Sequence, residues 1–348
     1  MARPPNGKAS TIGDCERGMS GTRTVLFAIS IDTEIDKSPS WAVSPDLAFR
    51  SVTEGIPERL TPLFDEYGAR PTYLLSGEVI DDDASVGVLK AIRDCELGTH
   101  LHGEFVEPHR RSGTMANERT SDMQCAYPRE IELLKMRNLS ERFAARFGRR
   151  PMSFRAGRFG AGANTIRCLE ELGYLVDTSV TPTLRWDYPE GLADFSRAGN
   201  QPYHPSREDI ASPGCSGLLE VPVSITTSAP GVALRGLKAV QRDGPLRTAV
   251  NVLLPSIWVR PSHTSSGRMV RAIEKLLRMN EDRDTVVLNM MMHSMEVVPN
   301  ASPVTRSEDE VDALIRRMED VLRYCRRKGF RFAQLHQVHS ILTAGQGQ

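Results

Sequence analysis

Thr24-Val25-Leu26-Phe27-Ala28-Ile29-Ser30-Ile31-Asp32-Thr33-Glu34 is the most informative stretch of the 348-residue chain. From Thr24 to Ile31 it is an almost unbroken apolar run rich in branched side chains. Such a run predicts a strand buried on both faces, as in a parallel sheet. It ends in acids, Asp32, Glu34 and Asp36. Asp32 and Glu34 are two apart, so on an extended segment their carboxylates point to the same side. Two buried acids side by side are costly unless a cation neutralises them, and otherwise they are simply solvated.

Outward from this strand, helical and extended patterns alternate. Residues 51–66 read as a helix, Pro71 to Leu75 as a strand, 84–93 as a short helix, and Cys95 to Thr99 as a lead into histidines. Tyr127 to Phe147 is a long amphipathic helix stopped by Gly148, and Ser153-Phe154-Arg155 a short strand entering a glycine-rich loop. Residues 164–172 read as a helix, Tyr174 to Asp177 as a strand, 182–216 as a long loop, and Leu218 to Val223 as a strand. Residues 228–265 read as an insertion or lid. After a helix over 268–279 comes a buried strand, Thr285 to Met292, ending at His293. Ser307 and Glu310 form a capping box, the helix they start stops at Gly329, and Phe330 to Leu335 reads as a last strand. Alternation of this kind predicts an α/β fold with a parallel sheet.

Polar residues recur where the expected strands end: Asp32 and Glu34, His100 and His102, Arg155, Asp177, His293. Active sites of parallel α/β folds lie at the C-terminal strand ends, so these residues are expected to converge on one site. In Gly98-Thr99-His100-Leu101-His102-Gly103-Glu104, with His109 beyond, imidazoles and carboxylate suit zinc or a similar divalent ion. Arg155 can keep a catalytic carboxylate ionised, and His293 is a candidate general acid. The glycines of Arg155-Ala156-Gly157-Arg158-Phe159-Gly160-Ala161-Gly162 do not have the spacing of a phosphate loop. Ser294 beside His293 makes no triad, and no G-x-S-x-G elbow is present.

Composition narrows the function further. Lys and Arg total 44 and Asp and Glu total 44, so the formal net charge is zero. That balance argues against a simple nucleic-acid binder or a binder of anionic membranes. No apolar run is long enough for a spanning helix. The six cysteines, 15, 95, 125, 168, 215 and 325, form no C-x-x-C pair and read as reduced, mostly buried thiols. Residues 1–21 read as a disordered leader without an apolar core, and residues 22–345 as one domain carrying a lid over about 182–265. These features suggest a cytoplasmic protein, or one peripheral to the inner membrane face.

Taken in order, the motifs resemble those of the polysaccharide deacetylase family (the NodB-homology, carbohydrate esterase family 4 group) over about residues 24–340. Ser30-Ile31-Asp32-Thr33-Glu34 is similar to the family's first motif in its D-x-E variant, and Glu96-Leu97-Gly98-Thr99-His100 to the start of its H-x-x-x-H motif. Phe154-Arg155 matches the F-R of the third motif without its proline. Asp177-Thr178-Ser179 echoes the fourth, with Trp186 further on, and His293 matches the L-x-H motif. Phe330 to Leu335 resembles the closing strand.

The resemblance implies a distorted (β/α) barrel of about seven parallel strands. It implies Asp32 as general base, Glu34 and His100 as metal ligands, Arg155 as the residue orienting Asp32, and His293 as general acid. Glu104 stands at the second histidine position, with His102 and His109 as alternates. Arg158, Phe159 and Trp186 are expected to bind substrate. The implied cofactor is one divalent metal ion, zinc first, cobalt or another ion otherwise. The expected partner is a carbohydrate, with no nucleic acid and no membrane span, and a homo-oligomer is allowed. The expected reaction removes an N-acetyl group from an amino sugar in a polysaccharide or glycan precursor. Two alternatives stand beside it: a non-catalytic barrel binding a glycan or partner, and a hydrolase of a non-sugar C–N bond.

Overall fold

The computed structural model describes residues 23–41, 43, 46–109, 123–188, 191–227 and 255–344. The expected leader and the 228–254 part of the expected lid lie outside the described residues.

Strands β1 (Thr24–Thr33), β2 (Thr72–Leu75), β3 (Glu96–Leu101), β4 (Ser153–Ala156) and β5 (Val176–Asp177) pair in sequence order, all parallel. A hairpin of β6 (Arg185–Tyr188) and β7 (Gly191–Asp194) interrupts the expected 182–216 loop. Then β8 (Leu219–Glu220) adds to β5, while β9 (Ile225–Thr227) pairs with β10 (Ser256–Trp258). On the other side of β1 lies β11 (Thr285–His293), and β12 (Arg331–Phe332) pairs with the start of β1. The order β11-β1-β2-β3-β4-β5-β8 is a path of seven parallel strands curled into a distorted (β/α) barrel.

The barrel seam lies between β8 and β11. Side chains bridge it. The Gln201 amide donates to the Val287 carbonyl (3.1 Å) and accepts from the Val287 N–H (2.9 Å), as a neighbouring strand would. The Ser224 N–H donates to the Asn289 carbonyl at 3.0 Å, and the Asn289 N–H to Ser224 Oγ at 2.8 Å. Buried backbone groups at an open seam need such partners.

Period-two alternation explains the barrel's interior. Leu26 and Ala28 pack with Val176, Leu219, Val221 and Val287 in one apolar cluster. Phe27, Ile29 and Ile31, on the opposite face of β1, belong to the larger cluster that includes the helices. Continuing the first face along β1 gives Ser30, Asp32 and Glu34. The interior therefore changes from apolar to polar toward the C-terminal strand ends.

Besides that hairpin, two elements depart from the sequence reading. Residues 51–66 are a π-helix, Ser51–Leu60, running into an α-helix, Thr61–Tyr67. Pro57 has no N–H for an i−4 carbonyl, and the wider winding accommodates it. The expected closing strand ends at Phe332, and Leu335–Ala344 is a helix instead. Leu335 and Val338 pack on Leu26 and Ala28, so helical spacing buries more apolar surface there than strand spacing. Glu96, fully buried, accepts the His336 N–H at 3.1 Å near the start of this helix, where a carboxylate suits the helix dipole.

The Gly148 and Gly329 stops are observed at positive φ, 68° and 70°. The five described cysteines are free thiols, two of them buried, and Cys15 lies outside the described residues. Among the described residues no helix is long and apolar enough to cross a membrane.

Candidate active site

Register brings the polar strand ends together. Asp32 on β1 is level with His293 on β11, and His100 on β3 is level with Arg155 on β4. All four border or underlie a cavity of about 400 Å³ at the C-terminal end of the barrel.

At its floor, Arg155 is wholly buried. Its Nη1 donates to Asp32 Oδ1 at 2.6 Å, its Nη2 to Ser30 Oγ at 2.6 Å, and its Nε to the Thr178 carbonyl at 2.9 Å. Burial alone would raise the Asp32 pKa, but Arg155, His100 and His293 reverse that and hold it below the usual carboxylate range. Asp32 Oδ2 is left facing His100 Nε2 at 4.0 Å and His293 Nε2 at 3.8 Å.

The second carboxylate sits between the histidines. Glu34 Oε1 is 3.3 Å from His100 Nε2, and Oε2 is 3.4 Å from His102 Nε2. Lys37 also pairs with Oε2. Despite burial, Lys37 and His102 hold Glu34 well below the usual range. His100 is fixed through Nδ1 on the Arg155 carbonyl at 3.0 Å, leaving Nε2 inward. His102 is fixed through Nδ1 on Glu104 at 3.3 Å. Gly157 makes room for this ring, because a Cβ there would lie 3.1 Å from His102 Nδ1 and 2.6 Å from the Leu101 carbonyl.

The backbone that follows is clamped from behind. The buried Lys135 ammonium donates to the carbonyls of Gly103 (2.7 Å), Val106 (2.6 Å) and Pro108.

Glu34, His100 and His102 thus offer three ligand atoms within 4.8 Å of one another. The fit to a divalent ion rests on two further observations. His102 Nε2 is buried and makes no well-formed hydrogen bond, with Glu34 Oε2 facing it at 3.4 Å. Burial should depress the His102 pKa, yet Glu34 and Glu104 push it up to about 10, so a positive charge is favoured between these two carboxylates. Glu104 therefore stands behind His102 rather than beside His100. His109 is exposed and belongs to neither candidate group.

On β11, His293 Nδ1 lies 3.1 Å from Glu296 Oε1 and 2.9 Å from an Arg260 nitrogen. Arg260 in turn donates to Glu296 at 2.5 Å. Burial opposes ionisation of Glu296, but Arg260 and His293 hold its carboxyl far below the usual range. This arrangement aims His293 Nε2 at Asp32 and Glu34. Ser294 is turned away from nucleophilic work, since its hydroxyl accepts from the Glu34 N–H at 3.2 Å.

The cavity's outer wall is aromatic. Phe159 stacks on Trp186 at 5.4 Å and 18°, with Trp258 at 5.9 Å from Phe159. Trp41 lies edge-on to His293 at 5.9 Å. Arg158, Phe159 and Trp186 line the cavity, as do Lys37, Trp41, Arg260 and His263. Burial and Arg260 push the His263 imidazole down to about 4, so it is neutral.

Sequence reading did not single out these last four residues or Glu296. Arg260 and His263 sit in a turn of the region read as lid, with no periodicity to mark them. Glu296 had a faint signal, an acid three residues after a strand-end histidine. Asp177 is a strand-end acid that does not line the cavity. It is fully buried, bonds to Ser179 and pairs with Glu220.

The Asp177–Glu220 pair predicts a pH-dependent stability. Burial, then the Asp177 charge, raise the Glu220 pKa well above 4.5. The folded state therefore holds a proton that the unfolded chain gives up near 4.5. The stabilisation is complete below that pH and is lost as pH rises through the folded value. Glu220→Gln keeps a donor for Asp177 and should flatten the fall of Tm between about pH 5 and 8. An unchanged slope would mean that another group causes it.

Comparison with known proteins supplies the last observation. No protein-family model matches the chain, and no curated protein matches it by sequence. Solved structures do. One, from Mycobacterium smegmatis and described as a polysaccharide deacetylase, is 15% identical, with 94% of this chain and 93% of that one covered and a TM-score of 0.50. Another, from Parabacteroides distasonis and described as a glycoside hydrolase/deacetylase, is 16% identical, with 92% and 71% covered and a TM-score of 0.58. The chain has the polysaccharide deacetylase fold. Within the deacetylase fold, the cluster described above occupies the C-terminal strand ends, where parallel barrels place their chemistry.

Proposed function

We propose that the chain is a metal-dependent hydrolase that removes an N-acetyl group from an amino sugar in a polysaccharide or glycan precursor. The observation that carries this reading is the cluster of Glu34, His100 and His102 beside an Arg155-held Asp32 and a Glu296-held His293. Two imidazoles and a carboxylate suit zinc, although cobalt or another divalent ion fits the same donors. Such an ion supplies Lewis acidity toward the amide carbonyl and toward water.

The chain's own groups do the rest. Asp32, ionised and held by Arg155, accepts a proton from the attacking water at Oδ2. His293 delivers a proton from Nε2 to the departing nitrogen, which is otherwise a very poor leaving group. Glu296 holds His293 in the orientation that points Nε2 at the reacting centre. Phe159 and Trp186 offer flat apolar faces for a sugar ring.

Elemental analysis of the wild type, His102→Ala and Glu104→Gln, followed by acetate release from N-acetylated oligosaccharides, tests this assignment. The wild type should hold one ion per chain and His102→Ala should hold none. Glu104→Gln should keep the ion with affinity weakened by about 10–100-fold, the usual effect of losing a group that orients a ligand. If His102→Ala keeps the metal and Glu104→Gln loses it, Glu104 is the ligand. A wild type without metal after reconstitution, or without acetate release, would favour the non-catalytic barrel.

A further inference from the structure

Four acids at the site each have a basic neighbour among the described residues. Asp32 is paired with Arg155, Glu34 with Lys37, and Glu296 with Arg260. Glu104 has His102 at 3.3 Å. The protein groups are thus close to electrically balanced before any cofactor is added. A divalent ion on Glu34, His100 and His102 would leave the site with excess positive charge. Buried excess charge is costly unless an opposite charge enters with it.

The cavity wall supports the same sign. Among the described residues that line it, the only acids are Asp32 and Glu34, both within the metal cluster. The bases on the wall are Lys37, Arg158 and Arg260. Arg158 is the exposed one of the three.

The local backbone is the third observation. Arg158 and Phe159 both have positive φ, 52° and 56°. Non-glycine residues rarely adopt this region, and two in succession mark strain of the kind that clusters at functional sites. Glycines flank the pair at 157 and 160. The chain nonetheless keeps an arginine and a phenylalanine at the strained positions, and both line the cavity. Arg158 thus lines the same cavity as Phe159 and the Trp186 ring stacked on it.

We infer that the substrate carries a carboxylate or phosphate close to its acylated sugar nitrogen, and that Arg158 is the residue that selects it. This rests on the hydrolase reading for the identity of the acylated sugar. The stacked Phe159 and Trp186 take the ring face, and the adjacent guanidinium takes the anionic substituent, a geometry suited to either oxyanion.

Equilibrium binding separates the two questions, because it does not require turnover. Tryptophan fluorescence of the zinc-loaded Asp32→Asn variant would be titrated with N-acetylmuramic acid, N-acetylglucosamine 1-phosphate and the neutral methyl glycoside of N-acetylglucosamine. At least one anionic probe should bind tenfold or more tightly than the neutral one, and added salt should erode that margin. Which anionic probe wins distinguishes carboxylate from phosphate. Arg158→Gln should bring the ratio toward one, and Arg158→Lys should restore part of it. Equal affinities for all three probes, a margin that survives Arg158→Gln, or no binding of any probe would each overturn the inference. Acetate release by the wild type from a neutral oligosaccharide, with equal affinities in the titration, would leave the hydrolase standing without the anionic preference.

Discussion

Asp32→Asn should reduce hydrolysis by about 10²–10⁴-fold, the usual worth of a positioned general base, while the bound metal is retained. Oδ1 of Asp32 is committed to Arg155 at 2.6 Å. Oδ2 is the oxygen that faces His100 and His293, and it is the one available to take a proton. An amide at this position can still accept from Arg155 but cannot act as a base. The ligand atoms of Glu34, His100 and His102 are untouched, so metal content should match the wild type. Acetate release and elemental analysis on the same preparation check both halves. Full turnover would remove Asp32 from its role, and loss of metal would place it among the ligands.

Arg155→Met should be the most damaging of these substitutions for stability. The guanidinium is fully buried and gives hydrogen bonds to Asp32, Ser30 and Thr178. Removing one partner of a buried ion pair typically costs about 3–5 kcal/mol, because the other charge remains without compensation. For a chain of this size that corresponds to a fall in Tm of roughly 4–7 °C. Asp32 would then lie beside Glu34 with the opposing cation gone, and its pKa should rise.

The double variant Arg155→Met/Asp32→Asn should lose less stability than the two single losses added together, since neither charge is then left alone. Thermal unfolding of the three variants measures the coupling. Strict additivity would mean that the pair contributes no interaction of its own, and that the loss comes from the Ser30 and Thr178 bonds.

Much of the fold was legible because one signal repeats. Buried strands of a parallel barrel read as apolar runs, and the residue that follows each run lies at the C-terminal end. Asp32, His100, Arg155 and His293 were found that way. The 182–216 stretch was harder. Its β6–β7 hairpin is short and carries Arg185, Trp186 and Asp187, a composition that does not alternate cleanly. The helix Leu335–Ala344 was hidden for a different reason. Its apolar residues follow directly on a strand, and only the cluster around Leu26 and Ala28 makes the helical spacing the one that is buried.

The site was legible in its residue types and less so in its ranking. His100-Leu101-His102-Gly103-Glu104 offers three donors at spacing two, and spacing alone cannot rank them. Glu104 turns onto His102 Nδ1, while His102 Nε2 turns to Glu34. That outcome depends on Gly157 making room for the ring and on Lys135 holding the backbone from Gly103 to Pro108. Those residues lie on other elements: Gly157 is 55 positions from His102, and Lys135 is 27–32 positions from the carbonyls it holds.

By itself, then, the sequence determined the parallel α/β sheet, the end of it that carries the chemistry, and the acids, histidines and arginine that meet there, while the barrel was what the family resemblance implied. These follow from local periodicity and from the direction a strand runs, both of which are written in consecutive residues. Only the tertiary structure decided how the imidazoles of His100 and His102 face Glu34, which carboxylate steadies His293, and which cations border the cavity. Arg260 reaches His293 across 33 residues, and Arg155 reaches Asp32 across 123. Contacts at such separations are set by how the barrel closes, and closure depends on the packing of the whole chain rather than on any one stretch of it.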